Sequence, residues 1–229
     1  MMAISASRCD SENVRGSGTS WTATYAVNAS NVVDGAASLA IAFEDLAGNA
    51  GVSVSATTDS SVVTIDLVAP TLASVSIVSD NANDASRANA GDLITVSLTA
   101  SEPLATPSVS IAGQAVTVSG AGVSFTATYT VVGAAVVEGL ASIRIVYEDI
   151  ASNAGAVVTS VTDSSEVTID KTAPTLILLT IVSSNAADTS RANVGDTITL
   201  SIAASESIMT PIVSIADNAA SVSGSLSNY

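Results

Sequence analysis

Acidic side chains recur along this 229-residue chain at one fixed spacing: Asp66 and Asp170, Glu102 and Glu206, and Asp45 and Asp149 each lie 104 residues apart. Asp and Glu number 21 against 6 Lys and Arg, a formal net charge of −15. Carboxylates crowded together with few basic partners repel, take up protons or share a cation. Calcium suits such a set, because it accepts about six to eight hard oxygen ligands from carboxylates, Asn side chains, backbone carbonyls and water in a flexible geometry. Magnesium keeps its waters and insists on an octahedron, so it fits less well. The chain has no His and a single Cys, Cys9, so neither a zinc or copper centre nor Ser-His-Asp or Cys-His catalysis is expected. Neighbouring acids such as Glu148 and Asp149 would point opposite ways along a strand, which disfavours paired-carboxylate acid-base work. No enzyme is expected.

The spacing is that of a long internal repeat. VTIDLVAPTL from Val63 returns as VTIDKTAPTL from Val167, SGTSWTATYAV from Ser17 as AGVSFTATYTV from Ala121, and EDLAGNAG from Glu44 as EDIASNAG from Glu148. SRANAGDLITVSLTASE from Ser86 returns as SRANVGDTITLSIAASE from Ser190 at the same offset. A unit of this length exceeds the helical solenoid repeats of roughly 20 to 47 residues and matches one small domain with its own core. The boundaries run as a divergent segment over residues 1–15, the second half of a repeat over 16–66, a complete repeat over 67–170 and the first half of a repeat over 171–229. Two accounts of the half-repeats stand: the chain is a slice of a longer array, or the halves complement each other between chains, head to tail.

Within the complete repeat the apolar residues alternate with a period of two. Ala73, Val75 and Ile77, Ile94, Val96 and Leu98, Val109 and Ile111, Phe125 and Ala127, and Ile143 and Ile145 alternate with Ser, Thr or Arg. That pattern gives half-buried strands, and about seven short strands in such a length predict a tandem immunoglobulin-like β-sandwich, all-β, one complete and two partial. The spacing places strands over 72–79, 93–100, 107–112, 115–118, 124–132, 141–148 and 156–169, the last broken near Asp163. No helix longer than a turn is expected.

Following these strands up and down sorts the loops between two poles. Glu102, Glu148, Asp149 and Asn153 gather at the entry pole near Pro70, while Asp80, Asn81, Asn83, Asp84, Asp92, Glu138 and Asp170 gather at the exit pole. Only Leu67, Val68 and Ala69 separate Asp66 from Pro70, so two acidic poles face one another at the junction. Asp66 with Glu102 and Asp149 is therefore the first candidate calcium site, and Asp170 with Glu206 repeats it at the next junction. The alternative is that Asp66 and Asp170 only cap a turn before proline. The loop over 80–92 is the second candidate, with Asn81, Asp84 and Asp92 recurring as Asn185, Asp188 and Asp196, and Ser184 replacing Asp80. Its alternative is an Asn- and Asp-rich turn whose side chains bond their own backbone, and Asp45 with Asn49 and Asp149 with Asn153 admit the same reading. It lacks the ligand spacing of an EF-hand.

The composite pattern DxxAPTL, a strand opened by GD, then SE, SIAG, TATY, EDxAxNAG and TDSSxVTID resembles the bacterial immunoglobulin-like repeats of giant calcium-dependent surface adhesins. The nearest likeness is the extender region of an ice-binding adhesin of the RTX type. The resemblance covers nearly everything beyond Arg15. It implies an extracellular, cell-surface stalk in which calcium stiffens the links between neighbouring repeats of one longer chain, with the tip ligand bound elsewhere. A carbohydrate- or ice-binding module is the alternative, with Thr126, Thr128 and Thr130 as its outward row. Threonine is common on exposed strand faces in any case. An acidic surface repels nucleic acid and anionic lipid, and no apolar run approaches the roughly 20 residues of a membrane span. The opening residues lack the pattern of a signal peptide, so an export signal would lie outside them. One cysteine allows no intrachain disulfide, leaving stability to the core or to bound metal.

Overall fold

A computed structural model describes residues 14–28, 30, 32–132 and 137–224; Cys9, most of the divergent segment 1–15, part of the loop before Glu138, and Tyr229 lie outside them. The chain divides after Asp170 into two units. Every regular element among the described residues is a strand.

In the first unit, β1 (Val14–Ser17), β2 (Ser20–Ala23), β3 (Gly35–Ala36) and β4 (Thr64–Ile65) belong to the upstream half-repeat. The complete repeat follows with β5 (Leu72–Ser79), β6 (Arg87–Ala88), β7 (Leu93–Ala100), β8 (Ser108–Ile111), β9 (Gln114–Ala121), β10 (Ser124–Thr130), β11 (Gly139–Leu140), β12 (Ile143–Val146) and β13 (Thr168–Ile169). Six of these form one antiparallel sheet in the order β12-β8-β9-β10-β7-β5. The sheet curls. Val158 pairs with Ile145 at one edge, and four residues later Thr162 donates its backbone N–H to the Val75 carbonyl (2.9 Å) at the other. A second, three-stranded sheet joins β11, β13 and β6, with β13 and β6 parallel.

Alternation explains what the curl encloses. Ile94, Val96, Leu98 and Ala100 of β7 all face inward, and Val75, Val109, Ile111, Phe125, Ala127, Ile143 and Ile145 meet them in one core. Ala73 breaks the expected alternation and is exposed. A register shift between Leu72 and Ser74 on β5 turns it out. The strand expected over 156–169 does not form as one piece. Asp163 Oδ1 accepts both the backbone N–H and the hydroxyl of Ser165 (3.0 and 2.7 Å), and Ser164 takes a φ of 61°, so the chain turns and only Thr168–Ile169 rejoin a sheet. Spacing also gives no hint of β6 or β11, whose two-residue pairings are too short to show a period.

The second unit carries β14 (Leu176–Ser183) paired with β15 (Ile198–Ala204), and β16 (Ser214–Ile215) paired with β17 (Asn218–Ala219). These are the counterparts of β5, β7, β8 and the start of β9.

Candidate metal centre

The EDxAxNAG turn is built by its own aspartate. Asp149 Oδ1 accepts the N–H groups of Ala151 (2.8 Å) and Asn153 (2.9 Å), while Oδ2 accepts from the Asn153 side chain (2.8 Å). Antiparallel pairing of Glu148 with Ala154 closes the turn, and Gly155 is required because a Cβ there would land on the Tyr147 ring. Asp45 and Asn49 repeat this wiring in the upstream half. Asp149 is 1% exposed, and burial works to raise its pKa, but the bonds from Asn153, Ala151 and Ser152 outweigh it and hold the carboxyl below the usual Asp range.

Against this anchored carboxylate the fold sets two others. One ligand oxygen each from Asp66, Glu102 and Asp149 lies within 4.8 Å of the others. That falls inside the span of about 4.6–5.2 Å that two oxygens can have on one calcium ion. Glu102 is brought in by the turn after β7, where Ser101 donates its N–H to the Thr71 carbonyl and accepts the Thr71 N–H on its hydroxyl. Asp66 arrives from the preceding repeat, and its backbone carbonyl accepts from the Asn153 side chain (3.1 Å). Asn153 thus touches both sides of the junction. Desolvation, then the charges of Asp66, Asp149 and Asp34, push the Glu102 carboxyl above its usual range. Arg87 pairs with Asp84 and Arg191 with Asp188, both outside the triad. An all-oxygen set of three carboxylates is suited to a hard cation, so the triad could hold a metal ion.

The turn-capping alternative for Asp66 is present in the same structure, since Asp66 Oδ1 accepts the Val68 N–H (3.1 Å). Capping and clustering coexist. Asp34, which spacing alone does not pick out, accepts the Leu67 N–H (2.7 Å) and adds its charge to Glu102. The signal was available, because Glu138 keeps an acid at the same repeat position.

The second candidate is differently wired. Asn81 Nδ2 donates to Asp92 Oδ2 (2.7 Å), Asn81 Oδ1 accepts from Asn83 and Asp84, Asp92 Oδ2 also accepts the Asn89 N–H, and Asp80 Oδ1 accepts the Leu93 N–H. Asp84 takes both bonds from Ser86, which hold its carboxyl below the usual range. Asn185, Asp188 and Asp196 repeat the arrangement, and the Ser184 hydroxyl takes over the role of Asp80 by accepting the Thr197 N–H. The structure joins Asn81 to the Asp92 carboxylate and gives much of the remaining acceptor capacity to backbone N–H groups.

At the next junction Asp170 closes the first unit, its N–H on the Ala88 carbonyl (2.9 Å), and Glu206 belongs to the second. The turn that carries Glu206 is built as the Glu102 turn is, with Ser205 and Thr175 in the places of Ser101 and Thr71. Compared with protein families, with characterised proteins and with solved structures, the chain gives no match.

Proposed function

We propose that this chain is an extender segment of a bacterial surface adhesin, in which tandem immunoglobulin-like sandwiches are stiffened by calcium at their junctions. The observation that carries this reading is the convergence of Asp66, from one repeat, on Glu102 and Asp149 of the next. A cation shared there would join two modules through charge that is otherwise repulsive, and would fix the angle between them. The strand order supports the sandwich: β5-β7-β10 and β9-β8-β12 correspond to the A-B-E and C′-C-F sets of an immunoglobulin-like domain, joined through the β9–β10 pairing. The repeat pattern and its resemblance to adhesin extenders supply the rest, including an extracellular, cell-surface location and partners that are neighbouring repeats. No residue is given a catalytic role.

The test is small-angle scattering and thermal melting of the chain in calcium, in magnesium and in chelator. Calcium is expected to raise the melting temperature and lengthen the maximum dimension, with magnesium weaker in both. Identical curves in calcium and chelator overturn the reading.

A further inference from the structure

The TDSS motif of residues 162–165 is a part of the repeat that the junction does not use. It forms a turn in which Asp163 Oδ1 holds both the N–H and the hydroxyl of Ser165, with Ser164 at a φ of 61°. One repeat earlier Asp59 Oδ1 accepts the Ser61 N–H (3.0 Å), and Ser60 takes the same φ. In the complete repeat this turn brings two hydroxyls to the open edge of β5, the last strand of the six-stranded sheet. Thr162 Oγ1 accepts the Val75 N–H (2.9 Å) while the Thr162 N–H donates to the Val75 carbonyl (2.9 Å), and Ser165 Oγ accepts the Ile77 N–H (2.9 Å). The Ser165 hydroxyl in turn donates to the Asp163 carboxylate (2.7 Å), a charge-assisted bond that fixes it in place.

The contact continues in the same direction. Thr168 donates its N–H to the Ser86 carbonyl (2.8 Å) and Asp170 to the Ala88 carbonyl (2.9 Å), where β13 runs parallel to β6. Residues 75–88 and 162–170 thus meet along one parallel seam, backed from the core by Val75, Ile77, Val167 and Ile169. The chain enters the repeat just before the first of these segments, at Pro70, and leaves it at the end of the second, at Asp170. Because the segments are parallel, tension on the chain draws the first toward its start and the second toward its end. They must slide past one another, which loads the seam's bonds together instead of opening them one by one. Beyond the seam, β13 has only its two-residue pairing with β11.

We infer that this seam is a mechanical clamp that resists stretching of the repeat along its chain, with the hydroxyls of Thr162 and Ser165 standing in for the backbone groups of a strand. The substitution has a structural reason. Residues 158–170 serve three edges in turn, pairing with Ile145 at Val158, with β5 at Thr162 and Ser165, and with β6 and β11 at β13. A straight strand cannot reach all three, whereas a tight turn can cross between them and still satisfy the Val75 and Ile77 N–H groups through its side chains. Only the presence of tension rests on the extender reading; the seam stands without it and shares no residue with Asp66, Glu102 and Asp149.

The test is single-molecule stretching of the full chain from its two ends, in chelator, so that its outcome is separate from that of the calcium reading. Unfolding of the complete repeat is recognised by a release of about 300 Å, at about 3.3–3.6 Å for each residue freed. Thr162→Val and Ser165→Ala each leave a strand N–H without its acceptor, and each is expected to speed unfolding under load about tenfold. Thr162→Ser keeps the hydroxyl and is expected to match the parent. Ile111→Val, in the core and away from the seam, is the control: it lowers stability in urea, which also verifies that each variant folds, yet is expected to leave the unfolding force close to the parent's. The inference is overturned if Thr162→Val and Ser165→Ala unfold under load no faster than Ile111→Val. It is also overturned if Thr162→Ser unfolds as fast as Thr162→Val, or if the parent repeat yields without a force peak.

Discussion

Glu102→Gln separates the two things that Glu102 does, because its effect reverses sign with calcium. Without metal, Glu102 is a half-buried carboxylate facing Asp66, Asp149 and Asp34, and glutamine keeps the shape while removing the repelled charge. The metal-free variant is therefore expected to melt above the metal-free parent. With metal the order reverses. At free calcium of about 100 times the parent's dissociation constant, linkage contributes about 2.7 kcal/mol, or a rise of about 10–20 °C for a module of this size. Losing one of three carboxylates from a calcium site weakens it by about 100-fold, on the scale over which ligand charge tunes these sites. The variant then keeps about 0.4 kcal/mol of linkage, a rise of about 2–3 °C. Calorimetric titration fixes the constants and scanning calorimetry reads both melts. The reasoning fails if the metal-free variant melts at or below the parent, or if the calcium-induced rise is unchanged.

The pH dependence of the metal-free chain follows from opposite shifts. Glu102 sits above its usual 4.5, so its ionisation costs stability as pH rises from there through the raised value, while Asp149 sits below its usual 3.8 and contributes stability that is lost as pH falls through the depressed one. Melts in chelator should peak in the mildly acidic window between the two and fall toward neutrality, and calcium should flatten that fall. Gly155→Ala should cost about 1–3 kcal/mol in urea unfolding, because the new methyl meets a Tyr147 ring that is 5% exposed. Gly51→Ala should cost less, since the Phe43 ring it meets is 41% exposed and free to swing away. Ile94→Ala should cost about 2–5 kcal/mol, and its repeat counterpart Ile198→Ala well under that, because Ile94 is fully enclosed and Ile198 is not.

The strands of the complete repeat are legible because one face of each is buried and the other wet, which writes a period of two into Leu93–Ala100 and Ser124–Thr130. Where a segment serves two edges in turn, as residues 158–165 do, no single face persists and the period is lost. The Ala73 bulge leaves no trace either, since alanine is equally at home on both faces.

Acidic residues pose a harder problem, because the residue types that ligate calcium are also those that fold loops over their own backbone. Spacing treats Asp84 and Asp149 alike. What distinguishes them is where the carboxylate oxygens are spent. Asp84 gives its oxygens to Ser86 and Arg87, so repulsion is already answered locally. Asp149 gives Oδ1 to two backbone N–H groups and accepts on Oδ2 from the Asn153 side chain, which also donates to the Asp66 carbonyl. One carboxylate oxygen each from Asp149, Glu102 and Asp66 lies within 4.8 Å of the others. A turn built this way holds one carboxylate rigid and ionised beside two more. Three converging acceptors can be answered by a cation, as proposed for this junction, or by a proton on Glu102, whose carboxyl is already pushed above its usual range. The repeat offset helps for the same reason: an acid needed only for a turn can be exchanged for serine, as Asp80 is for Ser184, whereas the acids at positions 66, 102 and 149 keep a carboxylate in every copy that this chain contains.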